Sequence, residues 1–238
     1  MPRRAKMYLP GYAYHIVQRG NNRSACFFEA ENYRVYKSYM GEVLPRYGNS
    51  LHAYCLMTNH VHLLITPEHE DSISNFMKVV NSRYAQYINK KYERTGTLWE
   101  GRHKGSAVDT ESYLLKCYRY IEFNPVAAYM VDQSEEYAWT SHHCNAWGES
   151  DPLIAEHESY LALGRNLEQR SSTYRDYFSE ALSSEGLNAI SKAAHYSMPL
   201  GPESFVEQVE RLTGRSIGFA RRGRPHDTLI KNKSLRPL

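Results

Sequence analysis

What most limits the fold of this chain is the order in which its apolar periodicity switches between two and 3.6 residues before position 125. Residues 12–19 (YAYHIVQR) are aromatic and β-branched and stop at Gly20-Asn21-Asn22, which reads as a strand and a turn. Residues 31–44 repeat apolar or aromatic side chains at helical spacing through Tyr33, Tyr36, Met40 and Leu44, ending near Pro45 and Gly48. Two strands follow, 51–57 and 61–66, joined by a short Thr58-Asn59 turn. A second helix spans 73–92, with Ile73, Phe76, Met77, Val80, Tyr84, Tyr87 and Ile88 on its buried face. After Gly96 comes a short strand at 106–108. Asp109 or Thr110 then caps a third helix through Tyr113, Leu114, Leu115, Tyr118 and Ile121 to Asn124-Pro125.

The order is β-α-β-β-α-β-α, the split β-α-β arrangement of a ferredoxin-like α+β fold. It predicts a four-stranded antiparallel sheet with helices on one face and the other face open for chemistry or nucleic acid. From residue 152 the pattern is helical only, with segments at 152–163, 167–182, 187–196 and 203–212. These breaks divide the chain into a core at 1–150, an all-α C-terminal region at 151–220 and a basic tail at 221–238.

A chain of 238 residues can bury a sizeable core. No apolar run approaches the roughly 20 residues that span a bilayer, so no membrane partner is expected. The basic N-terminus lacks the apolar stretch of a secretory signal. Cys26, Cys55, Cys117 and Cys144 have no CxxC spacing, which points to reduced thiols and a cytoplasmic protein. The net charge is +3, but it is unevenly spread. From Arg221 onward there are six Lys or Arg and one acid, so 29 bases and 26 acids become 23 and 25 without the tail. Between Asp132 and Ser159 seven carboxylates occur with no Lys or Arg. Such segregation suits a polyanion-binding tail, with a solvated tail lacking any partner as the alternative.

His60 and His62 flank Val61 inside a strand, so both imidazoles project from one face while Val61, Leu63 and Ile65 project from the other. Two neutral imidazoles so placed can ligate a divalent cation, given a third ligand. The third helix can supply one. At about 100° per residue, Leu114, Tyr118 and Ile121 cluster toward the core, whereas Tyr113, Tyr120 and Asn124 form a separate stripe. Lys78, Arg83, Lys90 and Lys91 lie on the second helix as candidate phosphate contacts or a solvated face. His142-His143-Cys144 lacks a fourth ligand at finger-like spacing and reads as a surface turn. His15 lies on the first strand, its facing left open.

The segments Cys55-Leu-Met-Thr-Asn-His-Val-His-Leu-Leu64, Gly96-Thr-Leu-Trp-Glu-Gly-Arg102 and Tyr120-Ile-Glu-Phe-Asn-Pro-Val126, with Tyr14-His-Ile-Val-Gln-Arg-Gly-Asn21 before them, closely resemble the single-tyrosine transposases of the HUH superfamily. The resemblance is especially to the REP-associated tyrosine transposases, and it covers the first 145 residues or so. It implies that His60 and His62 ligate Mg²⁺ or Mn²⁺ and that Tyr120 is the nucleophile. Asn124 stands where many insertion-sequence relatives carry a glutamine ligand. The implied activity is cutting and rejoining of single-stranded DNA at hairpins or palindromic repeats, with a second copy of the chain as a further partner. A nicking or replication-initiation enzyme, or a domesticated DNA-binding protein with a vestigial site, are the rival readings. Arg222-Gly223-Arg224-Pro225 looks like an AT-hook core, whose slender backbone lets arginines enter an A·T minor groove.

Overall fold

The computed structural model describes residues 8–179 and 182–214. Its first half runs β1 (Tyr14–Arg19), α1 (Ala30–Arg46), β2 (Asn49–Met57), β3 (His60–Pro67), α2 (Ser72–Lys91), β4 (Lys104–Ala107) and α3 (Leu114–Glu122). The strands form one antiparallel sheet in the order β2-β3-β1-β4. This is the α+β, ferredoxin-like arrangement that the periodicity predicts. Alternation assigns the faces: Ile16, Tyr54, Leu56, Val61, Leu63 and Ile65 pack under α1 and α2 with Tyr36, Met40, Phe76, Val80 and Tyr84.

The second face is not open. Ala53, Cys55, Met57 and Leu64 point away from α1 and α2 and form another apolar cluster with Leu114, Cys117, Tyr118 and Ile121 of α3. Those side chains require cover, and α3 lies across β2 and β3 to provide it. The chain continues through α4 (Asn124–Ala127), α5 (His142–Trp147), α6 (Glu158–Leu161), α7 (Leu167–Ser179), α8 (Ser184–Tyr196) and α9 (Glu203–Thr213). Tyr160, Tyr174, Ile190 and Ala193 join the α3 cluster, whereas Phe205 and Val209 join the cluster under α1 and α2.

Both outer strands are covered by C-terminal segments. Ile154 bridges Leu51, and the Ala155 amide donates to the Leu51 carbonyl at 2.7 Å, along β2. Leu200 bridges Val108, and its amide donates to the Ala107 carbonyl at 2.7 Å, beyond β4. Unpaired strand edges are thereby satisfied. This explains why 152–163 is not one helix: its first half serves as an extended edge, and only α6 is helical. Among the described residues no helix is long and apolar enough to cross a membrane. Cys26, Cys55, Cys117 and Cys144 are all free thiols.

His142-His143-Cys144 departs from the surface turn expected of it. These residues open α5, and His142 is buried with Nδ1 3.3 Å from the Glu122 carboxylate. Glu122 is fully buried at 0% exposure and accepts from Ser141 Oγ (2.6 Å), Asn145 Nδ2 (2.6 Å) and Tyr174 Oη (2.7 Å). One carboxylate at the end of α3 therefore ties that helix to α5 and α7. Glu122→Ala strands these donors in an apolar interior at about 1–3 kcal/mol each. The expected loss is on the order of 3 kcal/mol or more in urea unfolding, and a loss under about 1 kcal/mol would show that water replaces the carboxylate.

Candidate active site

The β2–β3 hairpin places His60 and His62 on the face that α3 covers, with ring centroids 4.8 Å apart. Asn59, in the turn, accepts at Oδ1 from the Nδ1 of His60 at 2.6 Å while its Nδ2 donates to the Arg23 carbonyl at 3.0 Å. A carboxamide oxygen can only accept, so His60 carries its proton on Nδ1 and keeps the Nε2 lone pair. His62 is 5% exposed, and its Nδ1 lies 2.8 Å from Nε2 of His15. The pairing register resolves the facing of His15: it stands opposite Leu64 as Val17 stands opposite His62, so both share the histidine face. Burial holds both ligand-type rings neutral. It lowers His60 to about 4, assisted by Arg19, and lowers His62 well below its ordinary value, assisted by His60, His15 and Arg19.

Tyr120 reaches the same place from α3. Its ring centroid lies 6.0 Å from that of His62 and 5.7 Å from that of His15, edge-on to both. Tyr118, two residues earlier, lies in the core between Tyr160 and Tyr174. Burial pushes the Tyr120 phenol above its ordinary value of 10, while a hydrogen bond with Ser191 and the charge of Arg19 pull the other way. Asn124 follows the end of α3. Its Nδ2 donates to the Tyr120 carbonyl at 2.6 Å and to the Ile121 carbonyl at 3.4 Å. Both bonds fold the carboxamide back onto the last turn of α3. The amide nitrogen is thus committed to the backbone, leaving Oδ1 as the atom suited to a cation.

A cleft of about 310 Å³ opens in front of His62 and Tyr120. Arg19, Arg23, Arg102 and Lys104 line it with Glu100 as the one acid among the described residues, and Ser191 and His195 of α8 close one wall. The Gly96–Arg102 segment is held there by backbone bonds: Asn21 N–H to Leu98 O at 2.8 Å and Glu100 N–H to Arg19 O at 3.0 Å. Gly20 is required at this junction, because a Cβ there would collide with the Ser24 carbonyl. These cations escaped the sequence reading, although two of the motifs quoted contain Arg19 and Arg102. Alternation from His15 through Val17 to Arg19 would have found Arg19 once the β1–β3 register was known. Ser191 and His195 left no such signal, since only tertiary docking brings α8 here.

The positions proposed on α2 lie on the opposite side of the sheet from Tyr120. Arg83 pairs with Glu42 at 2.8 Å and lies over the Tyr39 ring, Lys91 pairs with Glu29, and Lys78 and Lys90 are exposed. Arg222, Gly223, Arg224 and Pro225 lie outside the described residues. Among the described residues no group of three or more His, Cys, Asp or Glu gathers to hold an ion. A cation held by His60 and His62 would have two imidazole donors and would fill its remaining positions from amide oxygen, phosphate or water. Mg²⁺ and Mn²⁺ commonly keep such mixed shells, so the donor set fits.

Buried neutral histidines also set an acid limit on stability. Burial lowers His15 to about 3 and His52 to about 4, as it does His60. In the unfolded chain these rings take up protons near 6.5, so below that pH the unfolded state binds more protons than the fold. In the metal-free protein the urea midpoint should be level above about pH 7 and fall between 6.5 and 4. A midpoint unchanged across that range would mean the rings are protonated in the native state.

Residues 9–124 match the family model described as IS200-like transposase. The solved structure of the REP-associated tyrosine transposase bound to a REP hairpin aligns with a TM-score of 0.53 at 19% identity, over 66% of this chain and 93% of that one. A crystal structure of a candidate transposase from Deinococcus radiodurans R1 aligns at 0.35 and 21% identity, over 46% and 88%, too loosely to carry an argument. No curated protein matches the sequence.

Proposed function

We propose, from the match of residues 9–124 to the IS200-like transposase model, that this protein cuts and rejoins single-stranded DNA through Tyr120. The observation that carries the proposal is the meeting of Tyr120 with His62 in one cationic cleft of one chain. Arg19, Arg23, Arg102 and Lys104 supply positive charge for a phosphodiester backbone. His60 and His62 would hold Mg²⁺ or Mn²⁺ through Nε2, the nitrogens left free by the bonds at Nδ1, and Asn124 Oδ1 would be the third protein donor. The bound cation supplies Lewis-acid polarisation of a non-bridging phosphate oxygen.

Tyr120 Oη attacks phosphorus and loses its proton, the P–O3′ bond breaks, and the departing O3′ takes up a proton. The products are a 5′-phosphotyrosine and a free 3′-hydroxyl. Attack by another 3′-hydroxyl reverses the step and restores the phenol, so no nucleotide triphosphate is consumed. Burial keeps the phenol protonated at neutral pH, so Tyr120 needs the Arg19 charge and Ser191 bond to orient it before it loses its proton.

The substrate class we infer is a strand bearing a hairpin or palindromic repeat, supported by the motifs shared with REP-associated enzymes. All these groups except Ser191 and His195 fall within the catalytic unit we assign to 1–150, and α8, from the helical C-terminal region, completes the cleft wall. The 221–238 tail adds phosphate or minor-groove contacts. The test incubates end-labelled hairpin DNA with the protein and Mg²⁺ or Mn²⁺, then resolves the products under denaturing conditions. A labelled protein band supports the reading; tight DNA binding without any adduct or nick in either metal would leave a DNA-binding protein instead.

A further inference from the structure

Asn59 fixes the His60 ring by accepting its Nδ1–H, and the corresponding nitrogen of His62 faces His15. We infer that His15 is a positioning residue that does for His62 what Asn59 does for His60: its Nε2 accepts the Nδ1–H of His62 and so leaves the His62 Nε2 lone pair facing the cleft. The inference rests on the reading of His60 and His62 as cation ligands.

Three observations support it. The Nε2–Nδ1 distance is 2.8 Å, within hydrogen-bond range, and the rings lie nearly parallel with centroids 5.1 Å apart. A hydrogen bond between two neutral imidazoles can run either way, but a ring that ligates through Nε2 must carry its proton on Nδ1. Ligation therefore selects one direction, with His62 donating. His15 then carries its own proton on Nδ1, and that atom is buried with no hydrogen-bond partner among the described residues. His15 is 1% exposed. An apolar residue would fill that place without stranding a polar atom, so packing alone gives no reason for an imidazole there.

The experiment measures Mn²⁺ affinity calorimetrically and by electron paramagnetic resonance, without DNA, for the full chain and for His15→Phe, His15→Gln and His62→Ala. His15→Phe removes the acceptor and the stranded atom together. Because the substitution also leaves the buried Nδ1–H of His62 without its acceptor, the urea midpoint should fall by no more than about one such group is worth, while Mn²⁺ binds roughly 10- to 100-fold more weakly. His15→Gln can return an oxygen to the Nε2 position and should bind within about threefold of the parent, on the same geometry. Imidazole ¹⁵N shifts of the Mg²⁺-loaded parent protein should show His62 protonated at Nδ1.

Parent-like Mn²⁺ affinity in His15→Phe overturns the inference. So does a Gln variant as weak as Phe, or His62 protonated at Nε2 in the Mg²⁺ form. If His62→Ala binds Mn²⁺ as the parent does, the cation reading itself fails, and that result is separable from the others.

Discussion

Tyr120→Phe is expected to give no covalent protein–DNA adduct while hairpin DNA still binds within a few-fold of the parent affinity. The substitution removes one oxygen and leaves the ring, so the edge contacts with His62 and His15 persist. Neither the sheet nor the apolar cluster under α3 depends on that oxygen, although its hydrogen bond with Ser191 disappears. Removal of a nucleophile leaves only the rate enhancement of the remaining site, so strand cleavage should fall by at least about 10⁴-fold. Single-turnover cleavage of labelled DNA, with binding followed by fluorescence anisotropy, separates the two effects. An adduct that survives in Tyr120→Phe would move the nucleophile elsewhere, with Tyr113 the next residue on the same helical stripe.

His62→Ala should abolish the metal-dependent part of cleavage, with a rate loss on the order of 10³-fold even at saturating Mn²⁺. Chelation of the parent protein with EDTA should reach the same floor, and the two losses should not add, since both remove one contribution. His62 is nearly buried and hydrogen-bonded to His15, so truncation also leaves a small void. The urea midpoint must therefore be recorded beside the rate. Parent-like cleavage by His62→Ala in the presence of metal would remove the cation from the mechanism altogether.

The strands and long helices of the core are legible in the sequence because their side chains alternate or recur at fixed spacing. Helix boundaries match within a few residues for α1 and α2. The opposite projections of His60 and Val61 follow from the strand period alone. The second sheet face is covered rather than open, and periodicity misses this because it reports that Cys55, Met57 and Leu64 face one way, not what lies against them. The extended stretch within 152–163 is equally hidden, because a chain added to a sheet edge is held by backbone bonds, which carry no side-chain pattern. His142 reads as a surface residue because the carboxylate it meets, Glu122, is 20 residues away in sequence.

The sequence by itself determined the order of elements, the shared facing of the two histidines, and the separation of Tyr120 from the core stripe that holds Tyr118. All of these are local, set by backbone geometry over a few residues. Only the tertiary structure decided that α3 lies across the histidine face with Tyr120 turned toward His62, that His15 backs that ring, and that Arg19, Arg102 and α8 enclose the cleft. Those meetings join residues tens of positions apart. They are chosen by strand register and by burial of apolar surface, quantities that no short window of sequence contains.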